Sequence, residues 1–350
     1  MKIMHICTDS KIGGAIVSLY RLVSVSLRED IEHIVILAPD CVMLRAFSDL
    51  GVTVVTLSDS DRSFSIKDVF KTIYYIRRFR PDIVHTHGSV SGRIAAFICS
   101  VRSRIYTRHT YHHRGYCSIM RAINSIITTR AVAVSDALVD QILRSGITRD
   151  KISVIYNGAS DTYHKNNDDR IYHLLYIGRI VKDKGLDTAI SAISRLHSTD
   201  SRFTLTIVGD GSYKSVIEER ISSLDTSDLV TLYPYTENTA EHLSKCGIAI
   251  NCSYENEATS NFLLESMGGG LVPLVSCVGG NPIVVKDGVS GRVFAPYDVD
   301  EFISCAIDIV SRYEYYQENA YSRFLSEYTL ERMSDHYIKL WEDEYDNKCK

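Results

Sequence analysis

The sequence has few features of a disulfide-linked, metal-stapled or membrane-spanning protein. Its nine cysteines are odd in number and form no CxxC pair, which argues against a disulfide framework or a structural zinc site. No apolar stretch approaches the roughly 18–20 residues that cross a bilayer. The first seven residues turn polar at Thr8, too early for the apolar core of a signal peptide. We therefore expect a cytoplasmic protein with reduced cysteines.

Two common nucleotide-binding signatures are missing as well. The fingerprint GxGxxG does not occur, and its nearest imitation, GDGSYK at 209–214, lacks the third glycine. A Walker loop is also missing. These absences leave little support for a nicotinamide-dependent enzyme.

The composition is that of an ordinary globular protein with an uneven charge distribution. The chain has 350 residues, of which 45% are hydrophobic and 23% charged, which excludes wholesale disorder and is typical of two domains. Residues 1–165 carry 22 Lys and Arg against 14 Asp and Glu, a net charge of +8. The other 185 residues carry 17 against 29, a net charge of −12. The basic first half is expected to meet an anionic partner, either nucleic acid or a phosphate-bearing lipid at a membrane surface.

Short apolar, β-branched runs alternate with longer amphipathic stretches along the whole chain. This rhythm predicts parallel strands joined by helical crossovers, and so an α/β fold with doubly wound sheets. A polar, aperiodic stretch at 161–170 predicts a linker. We therefore predict a first domain over 1–165, a second over 171–325, and a last helix over 326–350 that returns to the first domain. The predicted elements include the strands Lys2–Cys7 and Thr204–Val208 and the helices Ile66–Phe79 and Asp136–Ser145.

Two motifs stand directly after predicted strands, where ligands bind in such sheets. Gly13 and Gly14 lie in the turn after the first strand, where glycine lets a ligand approach the backbone, although tight turns also use glycine for packing. Arg179 follows the first strand of the second domain, and Lys184 precedes a helix N-terminus. These two cations predict either a diphosphate site or a solvated charged loop.

A pair of carboxylates, Glu257 and Glu265, lies eight residues apart near a predicted helix. The first glutamate falls in a loop and the second within the helix, so the two could address opposite ends of one ligand. The alternative is a pair of surface carboxylates without a shared role. Gly279 and Gly280 follow the next predicted strand and again allow close approach of the backbone.

Taken in order, these segments resemble the retaining, nucleotide-sugar-dependent glycosyltransferases of family 4, which have the GT-B fold of two Rossmann-like domains facing a central cleft. The resemblance covers nearly the whole chain. Its motifs are Gly13-Gly14, PDIVHTH at 81–87, AVS at 133–135, VIYNG at 154–158, GRIVKDKG at 178–185, IVGDG at 207–211, the Glu257–Glu265 pair and Gly279-Gly280.

The resemblance implies roles for the charged residues of the second domain. Arg179 and Lys184 match the basic pair that holds the donor's diphosphate and stabilises charge on the departing nucleotide. Glu257 matches the glutamate that faces the donor sugar, and Glu265 matches the one that typically binds the ribose hydroxyls.

Further positions are implied to touch the donor or the acceptor. The amides of Asn261, Phe262 and Leu263 fall where family members bind phosphate or sugar. Gly14 would approach the diphosphate from the first domain, and His109 matches a histidine near the anomeric carbon.

The end of one strand and two departures from the family pattern complete the set of candidate positions. His85 and His87 alternate at the end of a predicted strand, where both either line the cleft or are hydrogen-bonded structural residues. His87 is the candidate acceptor-side residue. The glycine that usually follows the first glutamate is Ala258, and Pro273 stands one residue later than in the commonest version. Both departures concern the shape of the sugar pocket and remove no charged group.

No bound metal is expected, because the cations Arg179 and Lys184 would supply the charge that a metal ion supplies in other glycosyltransferases. The metal-binding DxD motif is matched by letter at 59–61 and 298–300, but neither match follows a convincing strand.

The resemblance therefore implies transfer of a sugar from a UDP- or GDP-sugar to a glycan or lipid-linked acceptor, without a cofactor, in surface-polysaccharide biosynthesis. Alternatives are a GT-B sugar phosphorylase or synthase and a non-catalytic sugar-nucleotide binding protein.

The basic surplus of the first domain is concentrated on the helix predicted over 66–79 and again over 102–121. Aromatic residues are interleaved with the cations, which favours contact with an anionic membrane or a pyrophosphate-linked lipid at the inner face of the cell membrane. Single-stranded nucleic acid would suit the same surface, but no recognised nucleic-acid module accompanies it, and a solvated basic face is the third possibility. The cations of the helix and its end are Lys67, Lys71, Arg77, Arg78 and Arg80.

Overall fold

A computed structural model describes residues 1–111, 115–163, 170–236, 238–255 and 257–346, which divide into two α/β units. Unit 1 consists of Met1–Gly158 together with Leu330–Lys350, and unit 2 is Ala159–Thr329. The predicted α/β class with two doubly wound sheets is confirmed. Residues 164–169, which belong to the predicted linker, lie outside the described part of the chain.

Unit 1 contains a seven-stranded, wholly parallel sheet in the order β3-β2-β1-β4-β5-β6-β7. Its strands are β1 Lys2–Cys7, β2 Glu32–Leu37, β3 Thr53–Thr56, β4 Ile83–His87, β5 Ser103–Arg108, β6 Arg130–Ala133 and β7 Ile152–Val154. Its crossover helices are α1 Gly14–Val25, α2 Leu44–Asp49, α3 Ile66–Phe79, α4 Val90–Ile98, α5 Ser118–Ile127 and α6 Val139–Arg144.

Unit 2 contains a six-stranded parallel sheet in the order β10-β9-β8-β11-β12-β13. Its strands are β8 His173–Ile177, β9 Thr204–Val208, β10 Val230–Tyr233, β11 Ile248–Asn251, β12 Val272–Ser276 and β13 Arg292–Phe294. Its helices are α7 Leu186–Thr199, α8 Lys214–Ser223, α9 Ala240–Leu243, α10 Asn261–Gly268, α11 Asn281–Val284, α12 Val299–Ser311 and α13 Tyr313–Glu327.

The order of each sheet determines where a ligand can bind. In unit 1 the strands up to β3 are added on one side of β1, and the later strands are added on its other side, beginning with β4. In unit 2 the same change of side occurs between β8 and β11. Loops from the two central strands diverge at such a switch point and leave a crevice at their carboxyl ends. Residues after β8 and β11 are therefore neighbours, although about 75 positions separate them in sequence.

The last helix, α14 Leu330–Asp346, packs against the sheet of unit 1. Its residues Met333, Tyr337 and Trp341 are buried among strand residues such as Ile3. Arg130 on β6 forms an ion pair with Glu344 of this helix, with 2.8 Å between Nε and Oε1. Over α14 the chain thus packs against unit 1 again, after the whole of unit 2.

Several short elements were not predicted from the sequence. α2 and β13 are only six and three residues long, too short for a periodic pattern to emerge. The helix predicted over Asp136–Ser145 begins as a 3₁₀ turn, Asp136–Leu138, and only α6 is α-helical. In the described part of the chain, no helix is both long and apolar enough to cross a membrane.

Replacement of Trp341 by Ala is expected to lower the free energy of unfolding by about 3–5 kcal/mol, because it leaves a cavity beneath a fully buried indole. Lys339→Ala, at an exposed position of the same helix, is the matched control and should change stability by less than about 0.5 kcal/mol. The free energy of unfolding of both variants is measured by urea denaturation, monitored by far-UV circular dichroism because this signal does not depend on tryptophan. Equal stabilities for the two variants would contradict the docking of α14.

Candidate functional site

The turn after β8 is fixed by close packing against the loop after β9. The carbonyl oxygen of Arg179 accepts a hydrogen bond from Tyr176 Oη at 2.8 Å. The side chain of Arg179 is exposed. A Cβ on Gly209, whose φ is 152°, would lie 1.9 Å from the carbonyl oxygen of Gly178. The glycine of the GDG segment therefore permits two loops to touch, which is a packing role and not that of a dinucleotide fingerprint.

The 3₁₀ turn Lys182–Lys184 is held in the same way against the loop after β11. Gly185 has a φ of 65°, and a Cβ there would lie 2.0 Å from the carbonyl oxygen of Cys252. The amide of Tyr254 donates to the Asp183 carbonyl at 2.8 Å. These backbone contacts bring the motif around Lys184 next to the segment that carries Glu257.

Lys184 and Glu257 form an ion pair with 2.8 Å between Nζ and Oε2. The same carboxylate oxygen accepts hydrogen bonds from Asn251 Nδ2 at 3.2 Å and Ser253 Oγ at 2.9 Å. Glu257 is only 7% exposed. Burial alone would raise the pKa of this carboxyl, but the attraction of Lys184 and the hydrogen bonds outweigh it, so the pKa lies below its ordinary value. The pair is therefore ionised at neutral pH.

The backbone of Glu257 is anchored by the two glycines that follow β12. The amide of Gly280 donates to the Glu257 carbonyl at 2.8 Å. Gly279 has a φ of 54°, and a Cβ there would lie 1.9 Å from the same carbonyl oxygen. These contacts explain why glycine occurs here: it lets the chain after β12 pass directly over the backbone of Glu257.

α10 follows Glu257 after a short loop and begins with Asn261. Ser260 caps the helix, and its Oγ accepts a hydrogen bond from the amide of Leu263 at 3.4 Å. The side chains of Phe262 and Leu263 are buried in the core of unit 2, so only their backbone can meet a ligand. Glu265 lies one turn further on and is half-buried.

In unit 1 the glycine loop after β1 leads into α1, of which Gly14 is the first residue. Gly13 has a φ of −159°, which any residue adopts, and a Cβ there would meet no atom within 4 Å. Within the described residues, neither backbone conformation nor packing accounts for glycine at position 13.

His87 and His109 lie side by side at the ends of β4 and β5. His87 Nδ1 and His109 Nε2 are 3.0 Å apart, and the rings are stacked. His87 is only 2% exposed, whereas His109 is half-buried. Burial lowers the pKa of His109 to about 4, so its imidazole is neutral near pH 7.

Several polar residues of these two regions were not identified from the sequence. Asn251 and Ser253 surround Glu257, and their position directly after a buried strand is the signal that could have found them. In unit 1, His5 and His33 were not identified either: His5 is buried beside His85 and His87, and His33 is buried beside His5.

The two DxD matches have structural partners. Asp61 accepts hydrogen bonds from the amide and the hydroxyl of Ser10, at 2.9 and 2.6 Å. Asp298 caps α12 by accepting from the amide of Glu301 at 2.9 Å.

Replacement of Glu257 by Gln is expected to lower the free energy of unfolding by about 3 kcal/mol near neutral pH, because the Lys184 ammonium loses its carboxylate partner. The folded-state pKa of Glu257 is lowered, so this stabilisation is complete above a glutamate's ordinary pKa and disappears as the pH falls below it. Urea denaturation between about pH 7 and pH 3 should show the difference from the parent shrinking below about pH 4.5. The exposed control Glu219→Gln should differ from the parent little and equally at each pH, and a constant difference for Glu257→Gln would contradict the ionised pair.

Both halves of the chain match models of known protein families. Residues 12–162 match the model described as Glycosyltransferase Family 4, and residues 161–323 match the model of Glycosyl transferases group 1. Together the two matches cover nearly the whole chain.

Individual relatives agree with the family match. The lipopolysaccharide 1,6-galactosyltransferase of Salmonella typhimurium is 24% identical over 261 residues, which is 72% of each chain. The capsular polysaccharide biosynthesis glycosyltransferase CapM of Staphylococcus aureus is 26% identical over 62% of this chain and 63% of its own length.

Among solved structures, HepE of Anabaena, determined in complex with UDP and glucose, superposes with a TM-score of 0.83. It is 17% identical and covers 98% of this chain and 100% of its own, so the likeness shows the fold. The chain belongs to the group 1, family 4 glycosyltransferases with the GT-B fold.

Proposed function

We propose that this glycosyltransferase is metal-independent and retaining, and that it moves a hexosyl unit from a UDP- or GDP-sugar to a glycan or lipid-linked acceptor in surface-polysaccharide biosynthesis. The observation that carries the proposal is the buried Lys184–Glu257 pair at the carboxyl ends of β8 and β11, beside the exposed Arg179. The names of two relatives, which build lipopolysaccharide and capsule, support the acceptor class. The complex of HepE with UDP and glucose supports a nucleotide-sugar donor.

The first step is to bind the donor's diphosphate. A lysine ammonium has three N–H donors, and the hydrogen bond to Glu257 uses one of them. The remaining donors of Lys184 and the guanidinium of Arg179 would hold phosphate oxygens. Because Glu257 already fixes the direction of the Lys184 side chain, little rotamer freedom is lost when the donor binds.

The second step is departure of the nucleotide diphosphate. Negative charge grows on the leaving oxygens as the bond between the sugar and the diphosphate breaks, and the cations Lys184 and Arg179 would stabilise that charge more than they stabilise the bound donor. Glu257 would face the donor sugar, where its carboxylate stabilises the oxocarbenium-like centre. The cations thus supply the positive charge that a metal ion supplies elsewhere.

The remaining proposed contacts surround this centre. The amides of Asn261, Phe262 and Leu263 would bind phosphate or sugar, and Glu265 would accept hydrogen bonds from the ribose hydroxyls. From unit 1, Gly14 would approach the diphosphate. The open space that a Cβ on the neighbouring Gly13 would meet supports close approach of a ligand to this loop.

His109 is proposed to lie near the anomeric carbon as a neutral hydrogen-bonding group, which its lowered pKa supports. His87 remains an acceptor-side residue in this proposal, but its burial means that it acts through His109, which it contacts at 3.0 Å. We further propose that residues 1–165 form the acceptor-side domain and 171–325 the donor-binding domain.

A screen of nucleotide sugars in the presence of EDTA, with glycan and lipid-linked acceptors, tests the activity. Transfer or slow donor hydrolysis without metal is expected. Release of a sugar 1-phosphate from a glycan and inorganic phosphate, without a nucleotide sugar, would instead indicate a phosphorylase. Transfer from the nucleotide sugar to a free sugar phosphate would indicate a synthase. Donor binding without any turnover would leave a non-catalytic binding protein.

Replacement of Lys184 or Arg179 by Ala should lower kcat by roughly 10²–10³-fold, because each removes charge stabilisation at the leaving group. Lys182→Ala is the matched control, since this exposed lysine lies in the same 3₁₀ turn and should retain most of the activity. Steady-state kinetics with the accepted donor measures all three. A normal kcat for both Lys184→Ala and Arg179→Ala would contradict the proposed roles.

Replacement of Glu265 by Gln should chiefly weaken donor affinity, because ribose binding is equal in the ground and transition states. We expect KM for the donor to rise at least tenfold with kcat at saturation changed less than about threefold. Glu218→Gln, at an exposed position of α8, is the control. If kcat fell and donor affinity stayed unchanged, the assignment of Glu265 to the ribose would be wrong.

The structure adds apolar groups to the basic face of unit 1. Three apolar side chains on one stripe of α3 are exposed, and Phe70 among them has an exposed fraction of 68%. Three more are exposed on one stripe of α5, where the exposed fraction of Ile119 is 72%. α3 packs on α4 and α4 on α5, so the helices form one layer. Of the segment 102–121, residues 112–114 lie outside the described residues. The stripes are Ile66, Phe70 and Tyr74 on α3 and Ile119, Ile123 and Ile126 on α5.

Arginines line a groove of about 680 Å³ where α3 and α4 end, namely Arg77, Arg80 and Arg102. Cations beside exposed apolar side chains suit a surface of anionic lipid, in which the apolar groups insert and the cations meet headgroups. We propose that this layer holds the enzyme at the inner face of the cell membrane, and we propose no nucleic-acid partner.

Unit 1 is therefore expected to bind phosphatidylglycerol vesicles at low salt and to release them at high salt. Changing Lys71, Arg77, Arg78 and Arg80 together to Ser should weaken vesicle binding at least 100-fold, since each cation near the surface contributes about 1 kcal/mol. Slow donor hydrolysis in solution should persist. Sedimentation measures binding, and negligible binding of the parent at both salt concentrations would contradict the proposal. The control changes four cations of unit 2 to Ser, Arg195, Arg220, Lys245 and Lys286.

A further inference from the structure

Three histidines on the two central strands of unit 1 have ring nitrogens close to one another. They are His5 on β1 and His85 and His87 on β4, all buried, and one nitrogen from each lies within 4.8 Å of the other two. The parallel register pairs His5 directly with His85. Because side chains alternate along a strand, His85 and His87 lie on the same face of the sheet.

The other nitrogen of each ring already has a partner. His5 Nε2 lies 3.1 Å from His33 Nδ1, His85 Nε2 lies 2.7 Å from Thr107 Oγ1, and His87 Nδ1 lies 3.0 Å from His109 Nε2. Metal-binding histidines are oriented in this way, with the outward nitrogen donating to a fixed partner so that the inward nitrogen presents its lone pair.

The inward nitrogens are the unusual feature of this cluster. Within the described residues, His5 Nδ1, His85 Nδ1 and His87 Nε2 are buried and make no hydrogen bond. A buried polar atom without a partner is costly, and this cluster contains three of them on neighbouring rings. A single cation at their centre removes this cost.

We propose that His5, His85 and His87 bind one d¹⁰ metal ion, zinc(II) or copper(I). Rings bound to one tetrahedral zinc ion at about 2.0–2.1 Å have centroids roughly 5 Å apart. The centroid distances here are 5.3 Å for His5–His85, 5.9 Å for His5–His87 and 4.4 Å for His85–His87. Imidazole suits both ions, and a d¹⁰ ion imposes no square or octahedral geometry on three ligands.

The surroundings assign this ion a structural role. Trp341 of α14 lies with its ring 5.6 Å from His5 and 6.1 Å from His85, so the last helix covers the cluster. An ion there would link β1 to β4 beneath α14 and stabilise unit 1. It would not replace the cations of unit 2, so failure of the glycosyltransferase mechanism would leave this inference standing.

The test uses the full chain without a histidine tag. Protein is unfolded, freed of metal with a chelator, refolded with zinc(II) or with copper(I) under reducing conditions, desalted, and measured by elemental analysis and thermal unfolding. We expect about one ion per chain and a Tm at least 4 °C above the metal-free protein with one of the two ions. Cobalt(II) loading of the parent should give the visible ligand-field bands of a cobalt–imidazole site.

The variant His5→Gln/His85→Gln should retain no ion, while His173→Gln, which changes a half-buried histidine of unit 2, should bind as the parent does. Uptake below about 0.1 ion per chain with an unchanged Tm for both metals would overturn the proposal. Equal uptake by the double variant would overturn it too. If the double variant does not fold, the proposal is judged from the parent protein alone, by its metal uptake, its Tm and its cobalt spectrum.

Discussion

Burying the carboxylate of Glu257 is costly, and much of unit 2 is arranged around making that burial possible. A lone carboxylate in a protein interior would become protonated rather than remain charged. The ammonium of Lys184 and the hydrogen bonds from Asn251 and Ser253 keep it ionised. Lys184 follows β8, whereas Asn251 ends β11 and Ser253 follows it, so the charge is satisfied only when β8, β11 and the segments that follow them are in register.

The glycines of unit 2 serve the same requirement. Gly185 lets the turn of Lys184 touch the backbone after β11, and Gly279 lets the chain after β12 pass over Glu257. A side chain at either position would overlap a carbonyl oxygen. The motif residues of this family that look unrelated in sequence are thus joined by direct contact, which explains why they occur together.

The two units solve the problem of buried polar groups differently. Unit 2 pairs opposite charges, whereas unit 1 buries rings that burial keeps neutral, because the pKa values of His5, His85 and His87 are held well below the ordinary value of histidine. An ion pair orients a side chain by attraction, while a network of neutral rings depends on which nitrogen carries each proton.

Much of the fold could be predicted because its strands are buried on both faces. β1 and β9 are found over the predicted Lys2–Cys7 and Thr204–Val208, and α3 over Ile66–Phe79, since uninterrupted apolar runs and a clear amphipathic period leave little choice. α5 was not predicted, because its exposed isoleucines conceal the polar face that marks a surface helix. The charged motif residues could be found by resemblance, and the end of a buried strand marks Asn251 and Ser253. The approach of Lys184 to Glu257 and of His5 to His87, however, depends on contacts between segments far apart in sequence, which no local pattern records.

Because α14 completes unit 1, the order of synthesis differs from the order of the sheet. A ribosome makes all seven strands of unit 1, then the whole of unit 2, and only afterwards the residues that cover Ile3, Ile83 and Ile105. Until then the apolar face that receives Trp341 is open to water. Unit 2 is continuous in sequence and can fold as soon as it emerges, while unit 1 waits with an exposed face throughout that time. The nascent chain is consequently most dependent on chaperones from the completion of β7 until α14 has emerged.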